Sequence, residues 1–242
     1  MIRRVAFTAL AAVILLFYLP FAAFLYYISE GGPLRLPGLQ TVASTLLLAA
    51  GTAVISIALA YPAAYYLARR GSELEFALLV APLWVGTLLK AYSLLAIFVI
   101  VERHAGLALW GTPLGVLIGM VYEYFPYALL TLYAAVEKVT EAPINAARVL
   151  GASRLQTFLR VELPLTAPGI VAAFVLVFLF AVGEVIMPVV LGAGKVYTFG
   201  NYVWDLYFKS RDVLSGGVLS MALAGLSLLA TLLVVRTVRL SL

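Results

Sequence analysis

The sequence predicts an all-α, polytopic membrane protein with six transmembrane helices. Hydrophobic residues make up 64% of the 242 residues and charged residues only 11%. The mean hydropathy is +1.10, and all three values lie far outside the range of a soluble globular domain. The apolar residues are gathered in runs of about 20 or more, the length needed to cross roughly 30 Å of hydrocarbon.

Six such runs follow one another, with no linker or low-complexity stretch that would mark a domain boundary. We therefore predict a single transmembrane domain over residues 1–242. The first run follows Arg3 and Arg4 and could be mistaken for a signal peptide, but its apolar part is too long for one. The predicted spans are residues 5–28, 41–68, 76–101, 113–136, 169–191 and 214–235.

The distribution of lysine and arginine predicts the orientation in the cytoplasmic membrane, because cytoplasmic loops are enriched in both. With the N-terminus inside, the cytoplasmic set is Arg3, Arg4, Arg69, Arg70, Lys138, Arg148, Arg154, Arg160, Arg236 and Arg239. The smaller outer set is Arg35, Arg103, Lys195, Lys209 and Arg211. This excess places both termini and residues 137–168, the long polar interruption of the chain, in the cytoplasm.

Residues 137–168, here called the polar loop, contain local signals for two short helices joined by a tight corner. Thr140 is expected to cap the first helix, with Glu141 in its first turn. Gly151 ends that helix, because glycine adopts the left-handed conformation at little steric cost. Ser153 is then expected to cap the second helix.

The polar loop also carries a spaced motif. Asn145-Ala146-Ala147 is followed by Gly151 and then by Val161-Glu162-Leu163-Pro164. This resembles the cytoplasmic signature loop of binding-protein-dependent ABC importer permeases, whose pattern is E-A-A, three residues, G, nine residues and I-x-L-P. Every spacing is met, with Asn145 in place of Glu and Val161 in place of Ile. An ordinary amphipathic loop between two spans is the alternative interpretation.

The resemblance implies that the chain is one subunit of a transporter complex. In it, two permeases, identical or paired with a sister subunit, carry two ATPase subunits inside and receive substrate from an extracytoplasmic solute-binding protein. The first short helix of the polar loop would be a cytoplasmic coupling helix. The residues expected to couple this chain to the ATPase are Glu141, Asn145, Ala146, Ala147, Leu150, Gly151, Arg154 and Pro164.

Three ionisable residues lie within predicted spans, where each costs on the order of 3 kcal/mol near a helix centre and should face a partner or a wet cavity. Lys90 and Glu123 lie at matching depth, so an ion pair that merely closes the bundle is one interpretation. Glu184 has no obvious cationic partner in this chain. Because Gly183 precedes it and Pro188 follows, we expect a kink that frees backbone carbonyls toward a cavity.

Aromatic residues surround Glu123 in the fourth predicted span. Tyr122 precedes it, and Tyr127 lies one turn later on the same face. Aromatic faces beside a carboxylate suit an organic ammonium ion, through cation–π attraction and charge pairing; a packing cluster is the alternative. The residues expected to line a substrate path are Lys90, Tyr122, Glu123, Tyr127 and Glu184.

Two stretches resemble the spermidine and putrescine branch of these permeases: residues 183–192 (GEVIMPVVLG) and residues 150–170 (LGASRLQTFLRVELPLTAPGI). The likeness extends over roughly residue 82 to the C-terminus. It implies a polyamine or another organic cation as substrate. Permeases for iron, thiamine and phosphonates share much of the pattern and are the alternatives within the family.

The nucleotide chemistry of such an importer has no site in this sequence. Gly192-Ala193-Gly194-Lys195 lacks the first glycine and the final Ser or Thr of a phosphate-binding loop, so ATP and Mg²⁺ are expected on the partner ATPase. The sequence has no nucleophile elbow, and a single histidine, His104, without any cysteine argues against a metal centre. We predict a transport subunit without enzymatic activity, cofactor or nucleic-acid partner.

Two other function classes remain as alternatives. A secondary carrier driven by an ion gradient would show inverted repeats with broken helices and paired membrane charges, and no clear repeat is visible. A membrane-embedded enzyme is disfavoured by the missing catalytic residues. The outer loop, residues 192–213, is rich in aromatics, which fits either a membrane-interface belt or a surface that docks the binding protein.

Overall fold

Four helices are long and apolar enough to cross a membrane. The computed structural model describes residues 33–240, so the first predicted span, residues 5–28, lies outside the described residues together with Arg3 and Arg4. Within residues 33–240 the chain consists of helices and loops without a strand. The four membrane-length helices are Leu39–Arg70, Pro113–Glu137, Arg154–Val182 and Val213–Val234. A further pair of helices is bent at a short break. If this pair is counted as one span, residues 33–240 contain five spans.

The second predicted span, residues 41–68, is confirmed as helix α1 (Leu39–Arg70). Arg69 and Arg70 lie in its last turn, where cations interact favourably with the helix dipole. Pro62 lies inside the helix and removes one backbone hydrogen bond. One face consists of small, fully buried residues that let a neighbouring helix approach closely: Ala49, Thr52, Ala53, Ser56, Ala60 and Ala64.

The third predicted span, residues 76–101, is wrong as a single straight helix. The segment consists of α2 (Glu73–Val80), a 3₁₀ turn (Ala81–Trp84) and α3 (Thr87–Ala105). Its two halves are bent by 99°. The bend has a local cause, because Pro82 has no N–H to continue the α-helical ladder and Gly86 adopts an extended conformation before α3 begins.

The fourth predicted span, residues 113–136, is confirmed as helix α4 (Pro113–Glu137). Its start has both of the expected signals. The Thr112 hydroxyl accepts a hydrogen bond from the amide of Gly115 at 3.1 Å. Pro113 occupies the first helical position, where the missing N–H costs nothing.

The polar loop begins with a short helix, α5 (Glu141–Val149), and its second helical stretch runs without a break into the next span. That stretch consists of α6 (Arg154–Thr157), a π-helical turn (Phe158–Glu162) and α7 (Leu163–Val182). The helix that contains the fifth predicted span therefore begins at Arg154, well before residue 169. Pro164 follows directly on the π-helical turn and Pro168 lies inside α7, and neither proline ends the helical stretch.

The fifth predicted span, residues 169–191, also ends differently, because α7 stops at Val182. Residues 183–185 leave the helical ladder, which agrees with the kink expected beside Gly183. The last predicted span, residues 214–235, is confirmed by the final helix. The remaining helices are α8 (Ile186–Leu191), α9 (Phe199–Phe208) and α10 (Val213–Leu240).

Helices α1, α4 and α7 pack against one another and form the core of the bundle. Gly169 permits the close approach of α7 to α4, since a Cβ there would lie 2.2 Å from the Cβ of Ala135. Helix α3 packs against α8, and α9 packs against α10. We call the side of the bundle with the polar loop the loop end. We call the opposite side, with α8 and α9, the far end.

Candidate functional site

The polar loop turns sharply at Gly151, whose φ of +86° is left-handed. The amide of Ala152 reaches back to the carbonyl of Ala147 at 3.0 Å. Ser153 then forms a capping box: its hydroxyl accepts from the amide of Gln156 at 3.3 Å, and the Gln156 side chain accepts from the Ser153 amide at 2.9 Å. The predicted corner between two helical stretches is present.

The tip of the polar loop exposes large apolar side chains. Val149 and Leu150 are each 87% exposed and Leu155 is 66% exposed, whereas Ile144 on the same helix, α5, is buried. Exposed apolar side chains grouped in this way are typical of a binding surface. Ala147 is half-buried, and the other predicted coupling residues are exposed: Glu141, Asn145, Ala146, Leu150, Gly151, Arg154 and Pro164.

Arg69, at the end of α1, holds the start of α5. One guanidinium nitrogen, Nη1, donates to the Glu141 carboxylate, and the other, Nη2, donates to the carbonyl of Val139 at 3.2 Å. The guanidinium carbon also lies 5.9 Å from the centre of the Tyr65 ring. Sequence analysis missed this contact, because nothing in a local pattern links residues that lie 72 positions apart.

Lys90 and Glu123 form a buried ion pair between α3 and α4. Lys90 Nζ lies 2.6 Å from Glu123 Oε2, and the two side chains are 3% and 6% exposed. The Thr87 hydroxyl donates to Glu123 Oε1 at 2.9 Å. The ion pair, one of the two interpretations of these residues, is present, and each charge depends on the other because an unpaired buried charge is strongly destabilising.

Glu184 lies in the break between α7 and α8 and is buried. Its Oε1 accepts hydrogen bonds from the amides of Ile186 at 2.8 Å and Met187 at 3.2 Å. Its Oε2 accepts from the hydroxyl of Tyr124. Among the side chains that the structure describes, neither a lysine nor an arginine pairs with it, so it is held by neutral donors.

The aromatic residues predicted around Glu123 divide into two groups. Tyr127 lies against Phe180, with ring centres 5.4 Å apart, and 6.1 Å from Tyr124. Tyr122, by contrast, is 42% exposed and lies apart from these rings. Sequence analysis omitted Tyr124 from the candidate site, although it follows Glu123 directly in the aromatic stretch. Its role depends on a partner 60 residues away.

Residues at the start of α9 form hydrogen bonds with the non-helical segment that contains Glu184. The Thr198 hydroxyl donates to the carbonyl of Glu184 at 3.3 Å, and the Asn201 side-chain amide donates to the carbonyl of Val185 at 3.1 Å. Gly200 allows this approach, because a Cβ there would lie 2.4 Å from the Glu184 carbonyl oxygen. The position of the carboxylate is therefore fixed by α9 as well as by α4.

The far end also carries an exposed polar and aromatic surface on α9. The Tyr197 hydroxyl donates to Asp205 at 2.9 Å, and Lys209 Nζ lies 2.8 Å from the same carboxylate. Burial, together with the hydrogen bond to Asp205, raises the pKa of Tyr197 to about 12. The rings of Trp204 and Phe208 lie 4.2 Å apart and are largely exposed.

The greater part of the chain matches a known family. The model of the family described as "Binding-protein-dependent transport system inner membrane component" matches residues 56–240, which include the polar loop, the Lys90–Glu123 pair and Glu184. The chain belongs to this family. The resemblance of the polar loop to binding-protein-dependent permeases is therefore confirmed at the level of the family, and with it the interpretation as an inner membrane protein.

Two transport permeases are similar to this chain in sequence. The spermidine/putrescine transport system permease protein PotB of Escherichia coli (strain K12) is 35% identical over 182 residues. That alignment spans 69% of this chain and 66% of the relative. PotB of Haemophilus influenzae is 32% identical over 210 residues, spanning 81% of this chain and 72% of the relative.

One solved structure shows the same fold over nearly the whole chain. It is the crystal structure of a bacterial ABC transporter involved in the import of the acidic polysaccharide alginate. The likeness has a TM-score of 0.69, at 14% identity, and covers 97% of this chain and 95% of the other. At 14% identity this match shows the fold of the chain and carries no information about its substrate.

Proposed function

We propose that the chain is the permease subunit of an ATP-driven ABC importer and forms the translocation path for a polyamine or a similar organic cation. Membership of the binding-protein-dependent family supports the transport mechanism. The similarity to two PotB proteins, both named for spermidine and putrescine, supports the substrate class. The observation that carries the substrate class within this chain is the charge of its buried cluster.

The buried cluster contains two carboxylates and one ammonium. Lys90 pairs with Glu123, and Glu184 accepts only from neutral donors within the described part of the chain. One positive and two negative groups leave a formal charge of −1. A buried charge without a counter-ion is costly, so a cationic cargo is favoured here and an anionic cargo is repelled. The rings of Tyr124 and Tyr127 add cation–π attraction for an ammonium group.

The exposed tip of the polar loop is the proposed docking surface for an ATPase subunit. Its apolar side chains, Val149, Leu150 and Leu155, would fill a groove on that partner. Two ATPase subunits that bind ATP and Mg²⁺, a second permease and an extracytoplasmic solute-binding protein would complete the importer. In this assembly the polar loop and both chain termini lie in the cytoplasm, and residues 192–213 face the binding protein.

A conformational cycle follows from how the cluster is connected. Closure of the ATPases would push on α5, and the Gly151 corner would convey that push to α4 and α7. The Tyr124–Glu184 hydrogen bond joins α4 to the end of α7. A relative shift of these two helices would therefore break or remake that bond and change how readily Glu184 accepts a substrate ammonium. Alternating access would expose this carboxylate first outward and then inward.

The substitution Glu184→Gln tests the substrate class, because it removes the charge while keeping the size of the side chain. We expect uptake of radiolabelled putrescine by the reconstituted complex to fall about tenfold, the effect of losing one charge-assisted hydrogen bond, with assembly unchanged. Glu102→Gln, at an exposed carboxylate on α3, is the matched control. Unaltered putrescine kinetics would remove Glu184 from the path.

The alternatives predict other results in the same experiment. A permease for iron, thiamine or a phosphonate would transport that solute and leave putrescine outside. Uptake that persists without any ATPase subunit would favour a carrier driven by an ion gradient. Each outcome is read from proteoliposomes with and without the ATPase.

A further inference from the structure

We propose that α1 carries the displacement of the polar loop across the membrane to the segment that holds Glu184, with Arg69 and Thr45 as the positioning residues at its two ends. This inference rests on the proposed function, because it describes how the ATP-driven push reaches the substrate path. The push on α4 and α7 described above acts through their direct connection to the polar loop. The contacts of α1 supply a second, separate route.

At the loop end, α1 contacts the polar loop on the side that precedes the corner. The planar guanidinium of Arg69 binds two points at once, the carbonyl of Val139 and the carboxylate of Glu141. These residues flank the start of α5, so the guanidinium fixes the direction in which α5 leaves the bundle. A two-point contact of this kind resists rotation as well as displacement.

The same face of α1 also contacts the chain after the corner. Tyr61, Tyr65 and Arg69 are spaced one helical turn apart and therefore lie in a row. The edges of both tyrosine rings meet Phe158, with ring centres 5.9 and 6.2 Å apart. The Tyr61 hydroxyl lies 2.9 Å from the hydroxyl of Thr166 on α7. Helix α1 thus contacts the polar loop both before and after the Gly151 corner. A large displacement of α5 would therefore also move α1.

At the far end, α1 contacts the segment that holds the break. The buried Thr45 hydroxyl accepts a hydrogen bond from the amide of Phe199 at 2.8 Å, and Ser44 donates to the carbonyl of Tyr197 at 3.2 Å. These contacts fix the start of α9. The side chains of Thr198 and Asn201 donate hydrogen bonds to the carbonyls of Glu184 and Val185. A shift of α1 would therefore move the start of α9 and, with it, Glu184.

The length and stiffness of α1 suit this role. From Thr45 to Arg69 is 24 residues, or about 36 Å at 1.5 Å per residue, which exceeds the roughly 30 Å of a hydrocarbon core. Between the two ends, the row of small residues packs α1 closely against α4. Pro62 weakens the ladder near the loop end, and the contact of Tyr61 with Thr166 supports the helix beside it.

A double-mutant cycle tests the route. Arg69→Gln removes the two-point contact, and Thr45→Val removes the acceptor for the Phe199 amide with little change of shape. We expect each change to lower putrescine-stimulated ATP hydrolysis of the reconstituted complex about tenfold. The double variant should lose no more than the worse single variant, because both changes interrupt one route.

Two matched controls lie on the same helix. Arg70→Gln changes the exposed neighbour of Arg69, and Thr52→Val changes a buried threonine whose hydroxyl has no hydrogen-bond partner in the described part of the chain. Both should leave the stimulation unchanged. If Arg69→Gln fails to fold, Glu141→Ala removes one of the two acceptors of Arg69 through a side chain that is 59% exposed.

Hydrogen exchange supplies a readout that does not depend on transport. In the purified chain, Arg69→Gln should speed exchange of the Phe199 amide at least threefold, although the two sites lie at opposite ends of α1. Exchange and stimulation that match those of Arg70→Gln would overturn the inference, as would multiplicative losses in the double variant. A wild-type complex that putrescine does not stimulate would instead count against the proposed function, and the exchange experiment would still test the route.

Discussion

The buried pair of Lys90 and Glu123 allows a quantitative test that also separates a structural role from a transport role. Lys90→Met keeps the aliphatic stem but removes the ammonium group. It leaves the Glu123 carboxylate in an environment where its side chain is only 6% exposed, with Thr87 as a remaining donor. Breaking a buried pair from one side costs about 3–5 kcal/mol, because the remaining charge has lost its counter-ion.

The expected loss of stability is large enough to measure directly. A cost of about 3–5 kcal/mol corresponds to roughly two to four orders of magnitude in the folding equilibrium constant. For a chain of this size it lowers Tm by about 10 °C. Thermal unfolding of the purified protein in detergent, followed by circular dichroism, is the assay. Lys209→Met is the matched control, because the Lys209–Asp205 pair is exposed and contributes no more than about 1 kcal/mol.

The double variant Lys90→Met/Glu123→Gln then distinguishes the two roles. Removing both charges eliminates the unpaired carboxylate, so Tm should return to within a few degrees of the wild type. If the pair only closes the bundle, putrescine uptake recovers with stability. If Glu123 lines the path, uptake stays low in a stable protein. A single Lys90→Met variant as stable as Lys209→Met would refute the reasoning, because the carboxylate would then not depend on the ammonium.

Two further predictions concern the polar loop and the start of α10. Gly151→Leu places a leucine in the left-handed conformation at a cost of about 1–2 kcal/mol, but the new side chain begins in open space. We therefore expect the chain to fold and to lose putrescine-stimulated ATP hydrolysis. Gly106→Leu, at another left-handed glycine with open space, is the control, and normal stimulation in Gly151→Leu would contradict the coupling role. Hydrogen bonds from Ser215 lower the pKa of Asp212, so this cap stabilises α10 above the ordinary pKa of aspartate and is lost as pH falls through the lowered value. The protection factor of the Ser215 amide, which is its exchange rate relative to that of an unfolded chain at the same pH, should fall on acidification in the wild type and be low at every pH in Asp212→Ala; a wild-type protection factor that does not change with pH would contradict this.

Local signals explain what sequence analysis predicted well. The corner of the polar loop follows from single residues acting on their neighbours: Gly151 takes the left-handed conformation and Ser153 caps the next helix. The α1 and α4 spans follow from long apolar runs with clear boundaries, such as Thr112 and Pro113 at the start of α4. In each case the physical cause lies within a few residues of its effect.

The misjudged elements share another cause. The third span bends by 99° at Pro82 and Gly86, yet its apolar composition is continuous across the bend, so hydropathy gave no sign of it. The fifth predicted span starts at residue 169, although the helical stretch starts at Arg154 and accommodates both Pro164 and Pro168. Proline and glycine mark positions where a helix can break, and tertiary packing decides whether it does.

The candidate site was predicted in part for the same reason. Matching depth in two spans was enough to pair Lys90 with Glu123. The donors of Glu184 were not predictable, because Tyr124 reaches it from another helix and the amides of α8 reach it only after the chain has broken. Arg69 was counted as a charge that orients the chain, and its contact with Glu141 became visible only in the fold.

The central claim is that the tip of the polar loop faces the cytoplasm and docks on an ATPase, and cysteine labelling tests it most directly. Because the chain contains no cysteine, Val149→Cys and Phe208→Cys each introduce a single exposed thiol, one at either end of the bundle. The measurement is labelling by a membrane-impermeant maleimide in spheroplasts, with and without permeabilisation and the ATPase subunit. We predict that Phe208→Cys reacts in intact spheroplasts, whereas Val149→Cys reacts only after permeabilisation and is protected by the ATPase. Labelling of Val149→Cys in intact spheroplasts, or labelling that the ATPase does not change, would contradict the account.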